Sequence, residues 1–145
     1  MHAILRIVSF HLIDDVRELT ADRIVAAHVV RPETEYLQDH FPTFPVLPGV
    51  MMLEAMAQAA RRLLQERDPA AGRVVLSGVR ALKYGGMVRP GETLVVDVSL
   101  HKAGDAGEYD FKGVGSVLSD GGESRTAVSG RFTMRPVKLT AMPTG

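Results

Sequence analysis

One stretch of apolar helix formers, set among segments that read as strands, constrains this chain more than any other feature. From Pro48-Gly49 the sequence runs VMMLEAMAQAARRLLQER, rich in Met, Leu, Ala, Gln and Glu, and Pro69 follows its end. Between Val50 and Ala60 only Glu54 and Gln58 are polar. A helix that is apolar nearly all round has to be buried. Residues 23–30, 73–84, 92–102, 108–118 and 127–135 are rich in β-branched and aromatic residues and read as strands. Turn signals separate them at Arg89-Pro90-Gly91-Glu92, Ala103-Gly104-Asp105 and Asp120-Gly121-Gly122. Residues 93–135 therefore predict a three-stranded antiparallel meander. A shorter helical turn is predicted over 32–40, with Pro32 at a first helical position. The tail after Pro136 is read as frayed. Five or six strands and one buried helix give an α+β layout, a curved antiparallel sheet wrapped about the helix.

Composition narrows the function classes. The 145 residues fit one domain, 1–145, with a core of ordinary size. Lys plus Arg is 17 and Asp plus Glu is 17, so the whole-chain balance offers no excess of positive charge for nucleic acid. The absence of cysteine excludes disulfides, thiolate metal sites and a cysteine nucleophile. No clustered His and carboxylate spacing argues for a metal. No run approaches the roughly 18 apolar residues of a membrane span, and Arg6 interrupts the N-terminal apolar run, which lacks a signal-peptide cleavage site. A soluble, cytoplasmic protein is the expectation.

Two features break the local rules. Glu54 and Gln58 lie four apart on one face of an otherwise apolar helix. Burying a carboxylate without a partner is costly, and such violations tend to mark functional or strained sites. Equally open on the pattern alone, the face touches solvent or a subunit, or Glu54 pairs with an arginine. The second feature is the loop His40-Phe41-Pro42-Thr43-Phe44-Pro45-Val46-Leu47-Pro48-Gly49, whose three prolines within 42–48 stiffen it around His40. Gly49 opens the helix, where a ligand oxygen can approach free backbone N–H groups and the helix dipole favours it. A histidine, a helix N-terminus and a carboxylate fourteen residues after the histidine are the parts needed to abstract a proton beside a carbonyl and protonate a leaving group.

HFPTFPVLPGVMMLEAMAQAA resembles the signature of the FabA/FabZ-type 3-hydroxyacyl-acyl-carrier-protein dehydratases, H-F-P-x-x-P-x-x-P-G-V-x-x-x-E-A-M-A-Q, without gaps. MVRPGETLVVDV and FKGVGSV resemble later segments of the family, so the likeness covers roughly residues 9–136 and leaves 137–145 as a tail. The resemblance implies the hot-dog fold. It implies a homodimer, in some members a trimer of dimers, with His40 of one subunit facing Glu54 of the other. It implies His40 as the base at C2 of a 3-hydroxyacyl thioester and Glu54 as the acid for the departing C3 hydroxyl. The Gly49 N–H would polarise the carbonyl, the Val46 carbonyl would orient the imidazole, and Gln58 would support the site or bind water. The product would be a trans-2-enoyl thioester, formed with no metal and no cofactor, and the partner an acyl carrier protein. Glutamate at 54 is similar to the FabZ type, which argues against isomerase activity.

The chain also departs from the pattern. Thr43 stands where the family often has Gly, and only residues 10–15 echo its N-terminal segment. Where the family has Phe followed by basic residues, Tyr84 is followed by Gly85, Gly86 and Met87. Lys83, Arg89, Arg61 and Arg62 are the candidate substitutes for carrier docking, against their reading as solvated surface. Met51, Met52, Met56 and Met87 suit an acyl tunnel or ordinary core packing. His2, His11, His28 and His101 read as structural or exposed. The alternatives to a dehydratase are a hot-dog thioesterase, against which the histidine in its rigid loop argues, and a non-catalytic acyl-binding partner subunit.

Overall fold

The computed structural model describes residues 11–31, 47–69, 73–104, 107–119 and 121–137. The strands are β1 (Asp15–Leu19), β2 (Arg23–Val29), β3 (Val74–Tyr84), β4 (Thr93–Ala103), β5 (Tyr109–Leu118) and β6 (Ser124–Pro136). The helix α1 (Gly49–Arg67) stands between β2 and β3 in the chain. All six strands form one antiparallel sheet in the order β1-β2-β4-β5-β6-β3. This is the α+β layout expected. The β4-β5-β6 meander and the helix fall where the sequence puts them. The helical turn expected over 32–40 lies outside the described residues, as does the tail from 138.

The sheet is built on alternation. Leu94, Val96 and Val98 of β4, Phe111 and Val117 of β5, and Val128, Phe132 and Met134 of β6 are buried on one face. Phe111 and Phe132 are cross-strand partners and stack with ring centroids 5.4 Å apart. Helix α1 lays Met52, Ala55, Met56, Ala59, Ala60, Leu63 and Leu64 against this face. It comes so close that a Cβ on Gly113 would stand 2.5 Å from Met56 Sδ. The C-terminal half of the helix is tied to a strand and to a turn. Arg61 Nε donates to the Val74 carbonyl at 3.0 Å, and Arg67 Nη1 donates to the Ala21 carbonyl at 2.8 Å.

Strand β3 departs from simple alternation. It carries two bulges against β6, between Leu76 and Gly78 and between Arg80 and Lys83. Leu76, Val79 and Tyr84 sit opposite Met134, Phe132 and Val128, inward-facing residues of β6, the second bulge undoing the change of face made by the first. Within the second bulge Ala81 takes a left-handed φ of 52°. The strand is an edge of the sheet and is exposed along most of its length.

Candidate active site

Helix α1 begins without a side-chain cap. Pro48 takes the N-cap position with extended backbone, and the first turn holds no acidic residue. The Pro48 carbonyl accepts from Met51 N at 2.9 Å and from Met52 N at 3.3 Å. Leu47 N donates to the Val88 carbonyl at 2.8 Å, which fastens the helix entrance to the segment after β3. The Tyr84 ring reaches the same point. A Cβ on Gly49 would stand 3.0 Å from both Cε1 and Cζ of Tyr84. Sequence reasoning gave Gly49 to ligand approach and had no signal for this contact, because Tyr84 is distant in the chain.

Glu54 lies on the side of α1 that the sheet leaves open. Val50 is 67% exposed and the Glu54 side chain 38%, whereas Ala55, Met56 and Ala57 are buried. Arg61 Nη2 stands 3.6 Å from Glu54 Oε1, so the arginine pairing weighed on the pattern is present. Five residues of helix rise separate Gly49 from Glu54, about 7.5 Å along the axis, and helical side chains lean back toward the N-terminus. Gln58 Oε1 accepts from Leu12 N at 2.9 Å, which ties the buried Leu12 to the helix. Among the methionines, Met52 and Met56 are core, Met51 is partly buried and Met87 is 42% exposed. His40 and Val46 lie outside the described residues.

The segment after β3 is built around Glu92 and Arg125. Glu92 Oε1 accepts from Arg89 N at 2.8 Å, and Arg125 bonds both Glu92 oxygens at 3.2–3.3 Å and the Met87 carbonyl at 2.8 Å. Burial alone would raise the Glu92 carboxyl; bonds from Arg125 and the Arg89 N–H, and the charges of both arginines, outweigh it and hold the group below its usual value. Gly85 serves packing here. Its N–H donates to the Ala127 carbonyl at 2.8 Å, and a Cβ on it would stand 2.9 Å from the Thr126 carbonyl oxygen. Of the four basic candidates, Arg61 is committed to Val74 and Glu54, and Arg62 lies 3.9 Å from Glu66. Lys83 and Arg89 are exposed.

His28, read from the sequence as structural or exposed, is buried on the inner side of β2 opposite Leu94. Its Nδ1 lies 3.3 Å from Asp14 Oδ2, which also accepts from Val29 N. His11 and His101 are exposed. Among the described residues no helix is long and apolar enough to cross a membrane, and no group of ligands is placed to hold a metal ion.

One helix against an antiparallel sheet, among the described residues, defines the class: this is a hot-dog fold. A solved structure of the dehydratase heterocomplex ApeI:P from Xenorhabdus doucetiae superposes with a TM-score of 0.71 at 22% identity, covering 90% of this chain and 85% of that one. Residues 16–122 match the model of the ApeI-like family, ApeI dehydratase, and the chain belongs to that family. A 3-hydroxyacyl-[acyl-carrier-protein] dehydratase FabZ of Oenococcus oeni is 43% identical over 96 residues, 65% of this chain and 69% of that protein. The FabZ of Petrotoga mobilis is 32% identical over 108 residues, 74% of this chain and 77% of that protein. The chain is accordingly an acyl-chain dehydratase.

Proposed function

We propose that the chain removes water from 3-hydroxyacyl chains carried as thioesters on an acyl carrier protein, with Glu54 as the acid and His40 as the base. The observation that carries this reading is the open stripe of α1. It places a carboxyl on the same side of the helix as an uncapped, glycine-initiated N-terminus, with Val50 exposed between them. The Gly49 N–H polarises the thioester carbonyl, which acidifies the C2 proton. His40 takes that proton, oriented by the Val46 carbonyl. Glu54 donates a proton to the C3 hydroxyl, which leaves as water, and the trans-2-enoyl thioester remains. The imidazolium proton then returns to the carboxylate through solvent, so the chain ends as it began. No cofactor is called for by these steps.

The second copy that would bring His40 to Glu54 has a natural seat. Strand β3 is an eleven-residue open edge with Val75, Val79 and Tyr84 between 37% and 50% exposed. Long apolar edges invite pairing with a second chain. The opposite edge, β1, is only five residues long and carries Asp15, Arg17 and Glu18. A homodimer joined along β3 follows, its sheet continuous through both copies.

The carrier meets a row of cations on the outer face of the sheet. Arg80, Arg131 and Lys112 are direct cross-strand neighbours on β3, β6 and β5, and all are exposed. Like charges directly opposite destabilise a sheet, so the row is held against a local cost. Among the described residues Asp110 answers it, 3.9 Å from Arg80. Lys83 extends the row toward Tyr84 at the rim of the site. An acidic carrier complements this surface.

The test is turnover of short and medium 3-hydroxyacyl-carrier thioesters, followed as enoyl product by mass spectrometry, for wild type and His40→Ala. Enoyl product from wild type and none from the variant supports the reading. Free thiol in place of enoyl product moves the chain to thioester hydrolysis. Binding without turnover moves it to an acyl-binding subunit.

A further inference from the structure

We propose that Tyr84 is a positioning residue for the dehydration: its ring, rather than the approach of a ligand, requires glycine at position 49, and its contact fixes the place of the Gly49 N–H. This rests on the reading that the Gly49 N–H meets the thioester carbonyl. The three heavy atoms nearest to a Cβ built on Gly49 all belong to the Tyr84 ring, Cε1 and Cζ at 3.0 Å and Cδ1 at 3.4 Å. Ordinary carbon contacts lie near 3.5–4.0 Å, so a methyl there forces the ring or the first helical turn to move.

The backbone beneath the ring is held. Tyr84 pairs with Val128 of β6, and the next residue, Gly85, bonds the Ala127 carbonyl and touches the Thr126 carbonyl at a distance that admits no side chain. The second bulge in β3 undoes the change of face made by the first, so Tyr84 lies opposite an inward-facing residue at this point. An edge strand exposed along most of its length thus ends in a ring that is itself half exposed and reaches the helix start. The helix start itself has no side-chain cap to fix it. Where no side-chain cap stands, the half-exposed ring packs against the first peptide unit. A misplacement of about 1 Å in such a group costs about 10²-fold in rate.

The experiment is a double-mutant cycle at the two positions, with kcat, KM and thermal midpoint measured on the full chain with a 3-hydroxyacyl-carrier thioester. Gly49→Ala lowers kcat by about 10²-fold. Tyr84→Ala lowers kcat by about 10-fold with KM little changed, and Tyr84→Phe, which keeps the ring, restores kcat to within about twofold of wild type. The double variant Gly49→Ala/Tyr84→Ala turns over like Tyr84→Ala alone, because without the ring the added methyl meets nothing. Additive losses in the double variant overturn the assignment, since glycine is then required by the ligand. Full turnover by Gly49→Ala overturns it as well. A fall in thermal midpoint for Tyr84→Ala with kcat unchanged leaves the ring a structural part only and overturns its positioning role. If Tyr84→Ala fails to fold, Tyr84→Leu takes its place in the cycle. Wild type without turnover removes the dehydratase reading itself, whereas an active wild type with an additive cycle removes only the role of Tyr84.

Discussion

Arg61 joins the helix to the sheet and Glu54 to both: its Nε donates to the Val74 carbonyl at 3.0 Å while its Nη2 stands 3.6 Å from Glu54 Oε1. The carboxyl thus has a fixed resting place on a half-exposed face. Arg61→Ala removes one hydrogen bond, for a loss of about 1 kcal/mol in stability, and lets the Glu54 side chain wander. Steady-state kinetics on this variant give a lower kcat with a smaller change in KM. Glu54→Gln lowers kcat by about 10²–10⁴-fold with the thermal midpoint near that of wild type, because the side chain faces outward. An unchanged kcat in Glu54→Gln removes the acid role.

The cation row on the outer face gives opposite signs for stability and binding. Arg131→Thr relieves like charges from both neighbouring strands and raises stability by about 0.2–1 kcal/mol in denaturant titration. The same substitution, and Lys112→Glu more strongly, raises KM for carrier-bound substrate by about 10-fold while a coenzyme A thioester of the same chain is unaffected. Added salt raises the wild-type KM toward that of the variants. Equal effects on both substrates place carrier docking elsewhere.

The helix and five of the six strands are legible because their signals are local. Met, Leu and Ala with two polar residues mark α1, and Val, Ile, Phe and Thr mark the strands. Strand β1 lacks such a signal: DVREL has no apolar run, and it holds its place by backbone pairing to β2. The site is only partly legible. Glu54 stands out in the sequence as a polar residue in an apolar helix. The contact of Tyr84 with Gly49, the bond of Gln58 to Leu12 and the bridge from Arg125 to Glu92 join residues 33 to 46 positions apart. No pattern in one sequence carries such pairs. Arg61 shows the converse: it reads as a surface cation, yet it is a strut.

Ala81 carries a left-handed backbone, φ 52°, in the bulge that aims Tyr84 at the helix. An L-residue there costs roughly 1–2 kcal/mol, partly recovered by the smaller freedom of alanine in the unfolded chain. Ala81→Gly is therefore neutral or stabilising by up to about 1 kcal/mol. Ala81→Val, β-branched, is destabilising by about 1–3 kcal/mol and lowers kcat as well, because the bulge sets the facing of Tyr84. Urea titrations of both variants, with kcat alongside, check the pair. A valine variant as stable as wild type shows that the bulge is unstrained.

His28 makes the fold sensitive to mild acid. Burial pushes its imidazole below the ordinary value of 6.5; Asp14, 3.3 Å from Nδ1, pulls the other way, and Arg31, 3.7 Å from Asp14, adds to the lowering. In the unfolded chain the ring takes its proton near pH 6.5, whereas in the fold it does so only at lower pH. Between those two values the unfolded chain binds more protons, so stability falls as the pH drops below about 6.5 and levels off once the buried ring is protonated. His28→Gln, which keeps a polar group of similar reach without this titration, flattens that slope and lowers the midpoint at pH 8, where the wild-type ring is neutral and seated. Thermal melts of both proteins from pH 8 to pH 5 read the difference directly. Parallel curves for the two would assign the acid sensitivity to another group, with Glu92, held low by Arg125, the next to lose its partner as the pH falls further.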